Sequence, residues 1–143
     1  MKKVSLVFVL VLALILTLFG VAAAPPPPPA PNVTFTVLQP LPDTMTVGQT
    51  YAFIIEVTSD TPVTSVTAMP TYFFPGRYVT AVKGNDRAGA GTSAILTITF
   101  QAKDPSSEGN AGGAPAPVSI IVGARFKGGV VVPQQYDYYI TVQ

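Results

Sequence analysis

The sequence contains no cysteine, no histidine and no tryptophan, and only about one residue in ten is charged. Each shortage removes a class of function. Without cysteine there is no disulfide framework, thiolate nucleophile or sulfur-ligated metal. Without histidine the commonest general base and the commonest nitrogen ligand are gone as well. The charges are nearly balanced: eight Lys and Arg, two of them Lys2 and Lys3 at the N-terminus, against seven Asp and Glu. The six remaining basic residues do not cluster. A nucleic-acid reader needs a basic face to neutralise phosphates, and an anionic membrane needs a polybasic patch; the sequence offers neither.

What is present begins with a leader. Lys2 and Lys3 precede an unbroken apolar run from Val4 to Phe19, followed by Gly20-Val21-Ala22-Ala23-Ala24. A positive start, an apolar middle and a small-residue exit form the secretory pattern. Cleavage after Ala23, with Val21 at the third position before the cut, avoids placing Pro25 directly after the scissile bond, as cleavage after Ala24 would. Residues 1–23 are therefore read as a signal peptide, and the chain as secreted or held at the cell surface. No cysteine follows the cut, which excludes a bacterial lipoprotein anchor. The competing reading is an uncleaved anchor, because the Val4–Ala24 stretch reaches the roughly 20 residues that span a bilayer. Membrane attachment is expected only in that form. An exported chain without cysteine is more typical of a bacterium or archaeon than of a eukaryotic secretory route.

Residues 24–31 form a proline-rich linker. Pro25 to Pro29 and Pro31 lack amide protons and cannot join a helix or a sheet ladder. At ~3.1 Å per residue, a polyproline II rod of this length holds the following domain about 20 Å from whatever precedes it.

From Asn32 to Gln143 the dominant signal is alternation with a period of two, which belongs to half-buried strands. It is clear at Val33/Phe35/Val37, Tyr51/Phe53/Ile55/Val57, Leu96/Ile98/Phe100, Val118/Ile120/Val122/Ala124/Phe126 and Tyr136/Tyr138/Ile140/Val142. Weaker strands are expected at Thr44–Val47, Pro62–Met69 and Tyr78–Lys83. Turn chemistry separates them at Gln39–Asp43, Val47–Gln49, Ser59–Pro62, Pro75-Gly76 and Gly84–Asp86, and Gly128-Gly129 predicts a hairpin. Lys103–Pro117, rich in Pro, Gly, Ser and Ala, reads as a long mobile surface loop. Seven or eight short strands in about 110 residues predict an all-β, two-sheet antiparallel sandwich.

The segment Met45-Thr46-Val47-Gly48-Gln49-Thr50-Tyr51-Ala52-Phe53-Ile54-Ile55-Glu56-Val57 resembles the opening of immunoglobulin-like modules in prokaryotic secreted and cell-surface proteins. It covers a small part of the chain and implies an immunoglobulin-like sandwich, not a function. The antibody-type pair of cysteines bracketing a tryptophan is absent.

The chemistry-bearing candidates are few. Asp43, Glu56, Asp60, Asp86, Asp104, Glu108 and Asp137 are scattered, mostly in turns where Asp serves local backbone bonds, so no paired-carboxylate catalytic centre is expected. No cofactor and no metal are expected. Gly84–Gly91 has the glycines of an anion-cradling loop, but no helix follows it, and its single Asp is too few for calcium; it reads as a plain connection. Tyr72, Phe73, Phe74, Arg77 and Tyr78 form the densest aromatic stretch. Consecutive aromatics cannot all face one core, so the cluster is either a plug for the sandwich end or a contact surface for a sugar or a protein. Asn32-Val33-Thr34 matches a glycosylation sequon.

These observations point to a non-catalytic interaction or structural module at the cell surface, serving adhesion, envelope association or assembly, with a surface protein or polysaccharide as partner. Two alternatives stay open: a carbohydrate-binding module using Tyr72–Tyr78, and a self-associating filament subunit donating the strand Val33–Leu38 to a neighbour. Mass spectrometry of the exported chain is expected to find Ala24 at the N-terminus; an intact Met1 overturns the cleaved-leader reading.

Overall fold

The computed structural model describes residues 29–71, 78–84, 86–104 and 115–143. Pro31–Gln143 is a compact unit. Among the described residues of that unit lie nine strands: β1 (Val33–Gln39), β2 (Thr44–Met45), β3 (Thr50–Val63), β4 (Ser65–Thr71), β5 (Val79–Lys83), β6 (Asp86–Ala88), β7 (Gly91–Ala102), β8 (Ala116–Arg125) and β9 (Val131–Val142). They form a four-stranded sheet, β1-β3-β7-β5, and a five-stranded sheet, β2-β9-β8-β4-β6. All neighbours are antiparallel except β2 and β9, which pair in parallel through Thr44 with Thr141 and Met45 with Val142. The expected two-sheet antiparallel sandwich is what forms, with this one parallel pair at its edge.

Alternation sorts the side chains as the period of two requires. Phe53, Ile55, Val57, Leu96, Ile98 and Phe100 point inward from the four-stranded sheet. Val66, Ala68, Val118, Ile120, Val122, Ala124, Ile140 and Val142 meet them from the other. Val33, Phe35 and Val37 of β1 pack at the margin of this core. Phe53 binds the layers together most visibly: its ring lies 5.6 Å from that of Tyr136 and 6.0 Å from that of Tyr138, both on the opposite sheet. Such tilted and edge-on pairs add to the gain from burial alone.

The turns fall where expected at Gly48 and at Gly128-Gly129. All three glycines have positive φ, a region costly to other residues. The hairpin between β8 and β9 closes with Phe126 N–H donating to Val130 O and Gly129 N–H donating to Phe126 O.

Three expectations need correction. Ser59–Pro62 does not end the strand: β3 runs on to Val63 across a break in register between Thr58 and Val63, turning the chain towards the other sheet. Its polar residues are instead used to hold the start of β1. Asn32 N–H donates to Asp60 Oδ1 at 3.2 Å, and Ser59 Oγ donates to Asn32 O at 3.2 Å. Secondly, part of the presumed Lys103–Pro117 loop is sheet, because Ala116 and Pro117 open β8 opposite Ile140 and Tyr139; residues 105–114 lie outside the described residues.

Thirdly, Gly84–Gly91 is not one plain connection, because it contains β6. The chain leaves β5 in one sheet, pairs β6 with β4 in the other, and returns as β7. β5 last pairs with β7 at Lys83 and Thr99, so the backbone of Thr97 lies beyond that ladder. The Asp86 carboxylate takes the place of the missing strand: Thr97 N–H donates to Oδ2 at 2.7 Å, and Arg87 N–H donates to Oδ1 at 3.1 Å. Lys83 Nζ stands 3.3 Å from the same Oδ1. With its backbone opposite Ala68 and its side chain on β7, Asp86 ties the two sheets together.

These bonds, that from Thr97 first, hold the Asp86 carboxyl below its usual range despite partial burial. A carboxylate whose pKa falls on folding contributes stability above its unfolded pKa of about 3.9 and loses it as pH drops through the lower folded value. Asp86→Ala is expected to cost about 2 kcal/mol at pH 7 in urea denaturation. Asp86→Asn retains an acceptor and should cost less, and its deficit against wild type should close as pH falls below about 4. A deficit that persists unchanged in acid would show the charge to be irrelevant. In the core, Phe53→Ala is expected to cost about 3–5 kcal/mol by the same measurement.

Candidate binding surface

Of the aromatic cluster, Tyr72, Phe73, Phe74 and Arg77 lie outside the described residues. Tyr78 is half-buried against the core, and its carbonyl accepts from Lys103 N–H at 2.7 Å. The tyrosines of β9 divide by alternation. Tyr136 and Tyr138 pack inward, and burial raises both phenols above their ordinary pKa; at Tyr138 a hydrogen bond with the Leu41 backbone opposes the rise. Tyr139 points outward and is 69% exposed. Asn32 of the sequon is exposed at the start of β1.

The described carboxylates do not converge. Asp60 holds β1 and Asp86 bridges the sheets. Glu56 is half-buried on the outer face of the four-stranded sheet, where Ser93 Oγ donates to it at 3.5 Å. Asp137 is on the outer face of the five-stranded sheet. It accepts from Ser119 Oγ at 2.5 Å and from Gln135 Nε2 at 2.8 Å, and these bonds, the serine's first, lower its pKa. Among the described residues no group of three Asp or Glu side chains is placed to hold a metal ion.

Among the described residues a recess lies on the outer face of the five-stranded sheet. Ser65, Thr67 and Met69 of β4, Arg87 of β6, Gly123 and Arg125 of β8, and Val131 of β9 line a shallow open cavity of about 320 Å³. The register explains it. Thr67 stands opposite Arg87 on one side and Gly123 on the other, while Arg125 stands opposite Ser65 and Val131. Gly123 occupies an outward position and has no side chain to fill it. A Cβ added there would meet Val131 Cγ1 at 3.5 Å and Thr67 Oγ1 at 3.8 Å, which are ordinary contacts. The glycine therefore makes the hollow without being demanded by backbone conformation. Two guanidinium groups and two hydroxyls surround it, backed by the aliphatic side chains of Met69 and Val131.

Sequence reasoning missed this surface. Arg87 lay in a segment read as a loop, and Arg125 and Gly123 were taken only as the outward residues of their strand. A glycine inside an alternating strand was the available signal, since it marks a place of close approach or of missing side chain.

No family model and no curated protein matches the sequence. Among solved structures, the fold is similar to native alpha-2-macroglobulin from Escherichia coli, in a form spanning domain MG7 to the C-terminus. The identity is 18% and the TM-score 0.50 over 80% of this chain, which spans only 17% of that one. Self-complemented MyfA, the major subunit of Myf fimbriae from Yersinia enterocolitica, aligns at 14% identity and TM-score 0.47, covering 78% of this chain and 98% of that one. The SrpA adhesin from Streptococcus sanguinis aligns at 14% identity and TM-score 0.47, covering 84% and 61%. At these identities the likeness is one of fold: the chain is an all-β, immunoglobulin-like two-sheet sandwich.

Proposed function

We propose that this chain is an exported, non-catalytic β-sandwich module that works at the cell surface by contact, in adhesion, envelope association or assembly. The observation that carries the reading is the division of labour among its polar groups. Asp60 and Asp86 serve the domain's own backbone, while the hollow over Gly123 is lined by guanidinium groups, hydroxyls and aliphatic carbons with no carboxylate. A surface of that composition can hold a partner, but it has no acid and base with which to transform one. The leader read from Lys2 to Ala23 supports export, and the proline tract after it supports a domain held off from its point of attachment.

The filament alternative draws less support. The segment it would donate, Val33–Leu38, lies in β1 and pairs with β3 of the same chain from Val33 with Ser59 to Val37 with Ile55. Donation would first require this strand to leave its own sandwich, exposing the margin of the core that Val33, Phe35 and Val37 cover.

Two measurements test the proposal. Intact cells producing the native chain should yield it in the surface or secreted fraction, accessible to added protease; retention inside the cell overturns the export reading. Light scattering after size-exclusion chromatography should give a monomer across concentrations, whereas concentration-dependent polymers that vanish when Asn32–Leu38 is deleted would establish the filament reading instead.

A further inference from the structure

The recess over Gly123 has a composition that selects among partners. Along the register, Arg125 and Arg87 are separated by two strand spacings and two residues, with β4 between them. That places their backbones about 12 Å apart on the diagonal. Between them stand the hydroxyls of Ser65 and Thr67. Ser65 is only 5% exposed, so it lies at the bottom of the hollow and not on its rim. At about 320 Å³ the space is at the small end of ligand sites, enough for one or two sugar rings and too little for a folded element.

We propose that this recess binds an acidic polysaccharide, with Arg87 and Arg125 gripping carboxylates on the same strand and Ser65 and Thr67 meeting ring hydroxyls between them. The proposal rests on the contact-module reading above and names its ligand class. A guanidinium fork matches a carboxylate in two parallel hydrogen bonds, and this geometry tells an acidic sugar from a neutral one. Successive or alternate uronate residues present carboxylates at separations that two long arginine side chains can reach.

An acidic peptide carries the same charges but fits less well. Around the recess the backbones of β4 and β8 are paired with each other, and β4 is paired with β6 at Thr67 and Arg87. A peptide lying across this face would find few backbone partners and would leave its own amides to side chains or water, whereas a sugar chain has no amide backbone to satisfy. Met69 and Val131 supply aliphatic surface for the carbon-bearing faces of the rings.

The test uses the exported chain with polygalacturonate as probe, and with neutral dextran and poly-L-glutamate as controls, by titration calorimetry and affinity electrophoresis. Wild type should bind polygalacturonate and leave dextran unbound, with poly-L-glutamate at least tenfold weaker. Arg87→Ala and Arg125→Ala should each weaken binding roughly tenfold, the usual scale for a lost charge-assisted bond, and the double variant should abolish it. Gly123→Gln should also abolish it, by filling the hollow while leaving every charge in place. Lys103→Ala, which removes a cation past the end of β7, should change nothing. Melting curves accompany each variant; if Gly123→Gln fails to fold, the two exposed arginines still decide the matter. Absence of polygalacturonate binding, indifference to the arginine substitutions, or equal binding of poly-L-glutamate overturns the proposal. If that happens while the chain is still recovered at the cell surface, the ligand class is wrong and the contact-module reading stands; failure of export removes the latter on its own account.

Discussion

The whole domain depends on the apolar layer between its two sheets. With no disulfide and no cysteine to form one, nothing covalent holds the layers together. Cohesion comes from apolar side chains meeting face to face: Phe53, Leu96, Ile98 and Phe100 on one side, Ile120, Val122, Ile140 and Val142 on the other. Because alternate residues of the long strands supply this layer, many of the intervening residues are not needed to fill it. That is why threonine, serine, arginine and even glycine occupy outward positions, and why a hollow such as the one over Gly123 can exist on a sheet face.

The margins of the layer need a different solution. Where a strand stops pairing, backbone groups of its neighbour are left without a partner, and burying such groups unpaired is costly. Two aspartates meet this need at separate places. Asp60 receives the amide of Asn32 where β1 begins, and Asp86 receives the amide of Thr97 where β5 has left the edge of β7. Asp86 acts as a side-chain substitute for a missing length of strand, whereas the Asp60 carboxylate adds to the backbone bond that Asp60 N–H donates to Asn32 O.

Most of the architecture was legible because it repeats. Five segments alternate so regularly that the inward residues named from them, Phe53 to Val57, Leu96 to Phe100 and Val118 to Phe126 among them, are the ones that meet in the core. What escaped was short or non-local. β6 is three residues, Asp86-Arg87-Ala88, and has no period to read; only its pairing with β4 defines it. The strand that runs through Ser59–Pro62 is masked by residues whose local preference is to turn, and tertiary pairing overrides that preference. The recess was invisible for a further reason: its walls come from four strands far apart in the chain, brought together by the order β9-β8-β4-β6.

The parallel pairing of β2 with β9 has a mechanical consequence. Val47 N–H donates to Gln143 O, and Gly48 N–H donates to Ala102 O, so the last residue lies at the same end of the sandwich as the start of β3. Val33 pairs instead with Ser59, some 30 Å away along β3. A pull between Asn32 and Gln143 therefore runs along the strands and not across them. Under such a pull the first strand is not unzipped one bond at a time; it has to slide past β3 with the ladder from Val33 to Gln39 under load together. Geometry alone thus sets this sandwich to meet a pull between Asn32 and Gln143 in shear.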